Sequence, residues 1–151
     1  MNKKIEISKL IFRKLKITDF SEFRKLFYHC FNRKVSFDFF RSRYFSDKSS
    51  FCYGVFHSSK LVANVGMVSL KLNNTINERI FSRHSSMVLK KYRGKNIFSN
   101  LLKKVRKNIS KNIKIIIMWP NKNNFSNFAI DKKNIIKINL YIYKTSLNQK
   151  S

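Results

Sequence analysis

Residues 88–102 read Val88-Leu89-Lys90-Lys91-Tyr92-Arg93-Gly94-Lys95-Asn96-Ile97-Phe98-Ser99-Asn100-Leu101-Leu102, and the reading of this stretch decides the fold. It joins an expected strand, Arg79 to Leu89, to the clearest helix in the chain, Lys95 to Ile109. Ile97, Phe98, Leu101, Leu102, Val105 and Ile109 recur at helical spacing and form one stripe, while Lys103, Lys104, Arg106 and Lys107 mostly face water. A turn from strand to helix is where physics places a phosphate. The first helical N–H groups have no acceptor within the helix, and the dipole there is positive. Arg93 and Lys95 add charge, and Gly94 lets the backbone turn tightly without a side chain in a ligand's path. These residues alone predict a pyrophosphate-bearing ligand. The alternative is a loop whose Arg and Lys merely face water.

Outward from this stretch, the pattern is of one domain spanning residues 1–151, without repeats or linkers. Leu10 to Ile17 alternates as a strand. Thr18 then caps a helix whose greasy face is Phe20, Phe23, Leu26, Phe27, Cys30 and Phe31, with Asp19 and Glu22 favouring its dipole. Ser36 caps a shorter helix with Phe37, Phe40 and Tyr44 on one side. These phenylalanine stripes are core material. Phe51 to Phe56 is a strand, His57 to Lys60 a turn, and Leu61 to Leu72 a long strand. The apolar phase of the long strand changes near Gly66, which predicts a bulge there. Asn73 to Asn77 is a polar turn. Ile113 to Trp119 is a continuous apolar strand stopped by Pro120, as expected for a strand covered on both faces. Asn121 to Asn127 is a polar loop, Phe128 to Lys132 a short helix, and Ile135 to Tyr143 a last strand. The expected class is α/β: a twisted, mixed sheet of six to seven strands flanked by helices. Only eight residues follow Tyr143, so the last strand of a seven-stranded sheet is expected to be missing, and an unpaired edge would favour a homodimer.

The chain carries 33 Lys plus Arg against 7 Asp plus Glu, a formal net charge of +26. Such a charge fits a polyanionic partner, nucleic acid or a membrane surface, or an anionic ligand. It fits equally a composition rich in Lys, Asn, Ile and Phe, the residues that AT-rich codons favour. The basic residues are spread rather than blocked, no nucleic-acid reader motif is present, and the aromatics fall on core faces, so a nucleic-acid partner is not favoured. Cys30 and Cys52 form no metal-ligand or CxxC pattern, and no metal is expected. The first residues lack the apolar run of a signal peptide, and Ile115 to Trp119 is far too short to span a bilayer. A soluble, cytoplasmic protein is the expectation.

Val88 to Leu102 resembles the acyl-CoA-binding motif of the GNAT superfamily, in which a strand ending V-x-P-x-Y-R-G-x-G feeds a helix that ends in a Leu pair. Val88, Tyr92, Arg93, Gly94, Leu101 and Leu102 match it. In the core pattern Q/R-x-x-G-x-G/A, Arg93 holds the first position, Asn96 stands where the first Gly is usual, and Phe98 stands at the second small residue. Asn is the residue that best tolerates a left-handed backbone after Gly. An R-G-x-G-I-F-S version of the motif is similar to Arg93 to Ser99. A second block, Met118 to Phe128, resembles the P-N-x-N-S-Y-x-x-F segment that follows the next strand in the same branch.

The resemblance implies an N-acetyltransferase that moves an acetyl group from acetyl-CoA to a primary amine of a small molecule, an amino sugar or a protein. It implies that the backbone at Met87, Val88 and Leu89 pairs with the pantetheine arm, and that the N–H groups of Arg93, Gly94, Lys95, Asn96, Ile97, Phe98 and Ser99 hold the pyrophosphate. Asn121 would sit beside the arm, with Phe128 close by, and an N–H near Val88 or Leu89 would polarise the acyl carbonyl. Many relatives place a Glu base near the position of Ser82 and a Tyr acid at the position of Phe128. Neither residue here can do that work. His84 is the candidate base, since its ordinary pKa lies in the useful range; Tyr141 and Tyr143 are candidates for the acid. A CoA-binding module without turnover is the alternative that these departures leave open.

Overall fold

A computed structural model describes residues 9–70, 79–108 and 113–117, all within one compact unit, Met1–Trp119. The order of elements is β1 (Leu10–Lys14), α1 (Phe20–Phe31), α2 (Phe37–Tyr44), β2 (Phe51–His57), β3 (Lys60–Leu70), β4 (Arg79–Val88), α3 (Ile97–Asn108) and β5 (Ile113–Ile117). The five strands form one mixed sheet in the order β1-β2-β3-β4-β5. The first four are antiparallel neighbours, and β5 runs parallel to β4, with α3 as the connection between them. The α/β class and the order of strands and helices agree with the sequence. Among the described residues no helix is long and apolar enough to cross a membrane. The turn at Asn73 to Asn77, Ile109, the segment from Met118 to Asn127, the helix at Phe128 to Lys132 and the strand at Ile135 to Tyr143 lie outside the described residues.

Two hydrophobic clusters sandwich the sheet. Against α1 and α2, Phe23, Leu26, Phe40 and Tyr44 pack on Cys52, Phe56, Leu61 and Met87. Against α3, Ile97, Leu101 and Val105 pack on Val55, Val65, Met67 and Phe81. Phe40 is fully buried, and its ring lies 4.6 Å from that of Phe23 and 5.0 Å from that of Phe45. Phe31 and Phe37 stay exposed, although they complete the helical stripes on paper. They sit at the last position of α1 and the first of α2, where the helix face turns away from the sheet.

Local chemistry sets the boundaries. β1 stops at Lys14, three residues short of the expected end, because Ile17–Asp19 forms a 3-10 turn ahead of α1. Asp19, not Thr18, occupies the cap position. Its carboxylate accepts from the Lys16 N–H at 2.7 Å and from both terminal nitrogens of Arg13 at 2.7 and 2.8 Å. That fork holds the Asp19 carboxyl below the usual carboxylate range. Helix α1 ends at Asn32, which is left-handed at φ 52° and donates its N–H to the Tyr28 carbonyl. Ser36 caps α2 as expected, its Oγ accepting from the Phe39 N–H at 3.1 Å. Ser58 and Ser59, at φ 48° and 65°, close the β2–β3 hairpin in two residues, and Lys60 already belongs to β3.

The bulge forecast at Gly66 lies on the opposite strand. Between the pairs Asn64↔Met87 and Gly66↔His84, β3 contributes Val65 alone, whereas β4 contributes Ser85 and Ser86. The extra residue is therefore in β4, and Ser85 adopts φ 47° to accommodate it. Gly66 answers a different need. A Cβ there would lie 2.5 Å from the Tyr44 ring, so the glycine makes room for that ring against the sheet.

Candidate functional site

Two parts of the molecule converge on the C-terminal end of β4. The first is the turn into α3. A 3-10 turn, Lys90–Tyr92, follows the strand, and the Tyr92 and Arg93 N–H groups donate to the Leu89 and Lys90 carbonyls. Gly94 at φ 72° and Asn96 at φ 56° then bend the chain into the helix. Both lie in the left-handed region that Gly adopts freely and that Asn tolerates best of the other residues. An added Cβ on Gly94 would meet nothing within 4 Å, so its backbone is open on that side. Helix α3 begins at Ile97 rather than Lys95, and its first bond runs from the Asn100 N–H to the Asn96 carbonyl. The N–H groups of Ile97, Phe98 and Ser99 lie ahead of that ladder, next to exposed Arg93 and half-buried Lys95. This donor set suits a pyrophosphate.

The side chains of the turn have separate duties. Ile97 is buried in the core and Phe98 packs against it, with the Arg83 guanidinium 5.9 Å from the Phe98 ring centroid. Phe98 thus fills space under the helix, and only its N–H is available to a ligand. Buried Tyr92, a residue of the motif, is likewise structural, its hydroxyl 2.7 Å from His57 Nδ1.

The backbone at the end of β4 is oriented by its register. The Leu89 N–H donates to the Val62 carbonyl at 2.9 Å. It is spent on the sheet, which removes it as a donor to an acyl group. Val88 faces Ala63 one position earlier. In an antiparallel ladder with that bond, Val88 is in a non-hydrogen-bonded pair, and its own N–H and C=O point away from β3. On that side, the described β4–β5 pairing ends at Ser82↔Ile117. The Val88 carbonyl accepts from Arg93 Nε at 3.0 Å, which ties strand end to turn. Half-buried Cys30, at the end of α1, lies against the Arg93 side chain and the Val88 backbone; burial pushes its thiol up, and the Arg93 charge opposes this. The apolar stripe of α1 announced Cys30 only as core.

The second part is the face of the bulge under α1 and α2. Tyr44 Oη lies 2.7 Å from Ser85 Oγ, and Asn64 Nδ2 donates to the Ser85 carbonyl at 3.1 Å, so side chains on both flanks fix the bulge. Burial raises the Tyr44 hydroxyl well above its ordinary pKa, which keeps it neutral. Met87 is buried in the same cluster. Half-buried His84 faces Arg43, whose Nη2 is 3.0 Å from Nδ1 and 3.2 Å from Nε2 of the ring. A guanidinium only donates, so the imidazole nitrogen it meets is unprotonated. Burial, and then the charge of Arg43, hold the His84 pKa below its ordinary value. Ser82 is buried, and its Oγ has no hydrogen-bond partner among the described residues. Asn121, Phe128, Tyr141 and Tyr143 lie outside the described residues.

A family model, the Acetyltransferase (GNAT) domain, matches residues 11–127. No curated protein matches the chain by sequence. Solved structures share its fold. An aminoglycoside acetyltransferase from an uncultured soil metagenomic sample, in complex with sisomicin, is 13% identical over 91% of this chain and 97% of that one, with a TM-score of 0.71. Glucosamine-6-phosphate N-acetyltransferase from Arabidopsis thaliana is 16% identical over 89% and 98%, with a TM-score of 0.69. An aminoglycoside N-acetyltransferase in complex with CoA is 10% identical over 89% and 95%, with a TM-score of 0.67.

Proposed function

Because the chain belongs to the GNAT acetyltransferase family, we propose that it transfers the acetyl group of acetyl-CoA to a primary amine. The observation that carries this reading is the turn into α3. Left-handed Gly94 and Asn96 present the N–H groups of Ile97, Phe98 and Ser99, which lie ahead of the α3 ladder, beside two cations, at the end of a strand whose Val88 N–H points away from β3. Acetyl-CoA supplies the activated acyl group. Arg93, Lys95 and the first turn of α3 hold its pyrophosphate, and the arm runs past Met87 to Leu89. The Val88 N–H donates to the acyl oxygen as charge builds on it. His84, whose unprotonated nitrogen accepts from Arg43 in the free protein, takes the proton from the attacking amine once that guanidinium turns to the acceptor. The amine nitrogen bonds to the acyl carbon, the carbon–sulfur bond breaks, and water protonates the leaving thiolate, since Phe128 has no proton to give. The amines in the names of the similar structures, an aminoglycoside and glucosamine 6-phosphate, support a small molecule or amino sugar as acceptor.

A CoA-binding module without turnover is the second reading. It is favoured by Ser82, buried and without a hydrogen-bond partner among the described residues, where the family resemblance leads one to look for a carboxylate.

Thermal unfolding with acetyl-CoA tests the first part. At a hundredfold excess over the dissociation constant, stabilisation of ~2.7 kcal/mol is expected, and Arg93→Glu abolishes it. A folded protein that acetyl-CoA does not stabilise overturns both readings. Thiol release with a panel of amines then separates them, since only the enzyme produces it.

A further inference from the structure

The face of β4 under α2 carries a cation with no counter-ion among the described residues. Arg43 is half-buried, with its guanidinium 5.2 Å from the Phe39 ring centroid. Its Nε is buried and has no hydrogen-bond partner among the described residues, and its Nη2 meets only the neutral ring of His84. The described carboxylates are engaged elsewhere. Asp19 pairs with Arg13, Glu22 with Lys25 and Asp38 with Arg41. Asp47 accepts from the Ser49 N–H. A partly desolvated guanidinium facing a neutral acceptor keeps most of its cost of burial. An oxyanion would repay it, because the planar guanidinium matches carboxylate and phosphate in two-point geometry. The position is apt, since His84 precedes Val88 by four residues on the same strand, on the face covered by α1 and α2.

We propose that Arg43 and His84 form a subsite for an oxyanion carried by the amine acceptor, so that preferred acceptors are small amines bearing a carboxylate or a phosphate. This rests on the acetyltransferase reading for the word acceptor; the oxyanion subsite itself does not require turnover. Arg43 grips the oxyanion and the amine end is left beside His84. The anion also offsets the charge that weighs on the imidazole, which makes His84 a better proton acceptor when the correct substrate is bound.

The chain has three histidines, His29, His57 and His84, so the ring resonances are few enough to follow individually. The protein is titrated with inorganic phosphate at constant ionic strength, both without acetyl-CoA and with it in excess. The expected result is a saturable movement of the His84 resonances, with His29 and His57 unmoved, and its loss in Arg43→Gln. His84 resonances that stay put, or that move equally in Arg43→Gln, overturn the proposal. Rates supply the second arm. O-phosphoethanolamine against ethanolamine, and β-alanine against β-alaninamide, separate a phosphate from a carboxylate. The anionic member of at least one pair is expected to show about tenfold higher kcat/KM, with the preference gone in Arg43→Gln. Neutral members used as well as their anionic partners overturn it. Failure of acetyl-CoA to stabilise the protein strikes the acetyltransferase reading alone, because the phosphate titration has its own readout.

Discussion

The turn into α3 and the face of the β4 bulge meet at one strand end but are built in opposite ways. The turn is contiguous: its left-handed Gly94 and Asn96, its cations and its free N–H groups all fall between Arg93 and Ser99. The bulge face is assembled across the chain, with Tyr44 on Ser85, Arg43 on His84 and Gly66 yielding space to Tyr44. A contiguous site can be adjusted residue by residue. A site assembled across the chain ties its chemistry to the packing of α2 on the sheet, so stability and function change together there.

Substitutions that strike one region and spare the other test this contrast. Phe40→Ala should have the largest effect, a loss of about 3–5 kcal/mol in denaturant unfolding, because Phe40 is fully buried among the rings of Phe20, Phe23, Tyr44 and Phe45. The further stabilisation that acetyl-CoA adds should survive in whatever fraction remains folded. If the increment disappears as well, the two regions are not separable. Gly66→Ala comes next, at about 1–3 kcal/mol, since the added Cβ pushes on the Tyr44 ring. It should lower the rate of thiol release more than it lowers acetyl-CoA binding.

Asn96→Val reverses the pattern. A β-branched residue in the left-handed region costs about 1–2 kcal/mol, whereas Asn96→Gly should stay within a few tenths. The Val variant should weaken the acetyl-CoA shift, and the Gly variant should keep it; equal shifts in the two would mean that the left-handed turn does not serve the ligand. The smallest expected effect concerns pH. The folded protein holds the His84 pKa below its ordinary value of about 6.5, through burial and then Arg43. As pH falls below about 6.5, the unfolded chain therefore takes up the proton first, and stability is lost down to the folded-state pKa. Arg43→Gln should raise the His84 titration midpoint seen by NMR and flatten that loss.

The same contrast explains what could be read from residue order. The turn was legible because its signals are local: Gly and Asn at bends, cations at a helix start, an apolar stripe of period 3.6 after it. The α/β class followed from helical and alternating periods, which are also local. The bulge was displaced by one strand because a phase change in β3 and an extra residue in β4 leave similar traces, and only the register decides between them. Nothing in the residues around Leu89 reveals that its N–H is taken by the Val62 carbonyl, a partner far away in the chain. Arg43 gives no signal at all, as one of 33 basic residues, and it acquires meaning only from the partner opposite it and from the want of a carboxylate beside it among the described residues.

The extra residue at Ser85 and Ser86 works as a frameshift within the sheet. Upstream, the even-numbered His84 looks toward α2 and odd-numbered Phe81 and Arg83 toward α3. Downstream the parity is exchanged: odd-numbered Met87 belongs to the α1 and α2 side and even-numbered Val88 packs with α3. One strand thus serves two frames, and deleting a single serine would merge them: the ladder would alternate without a break, with Met87 and Val88 still opposite Asn64 and Ala63 and on their present sides, and only the left-handed residue that fixes the bulge would be lost.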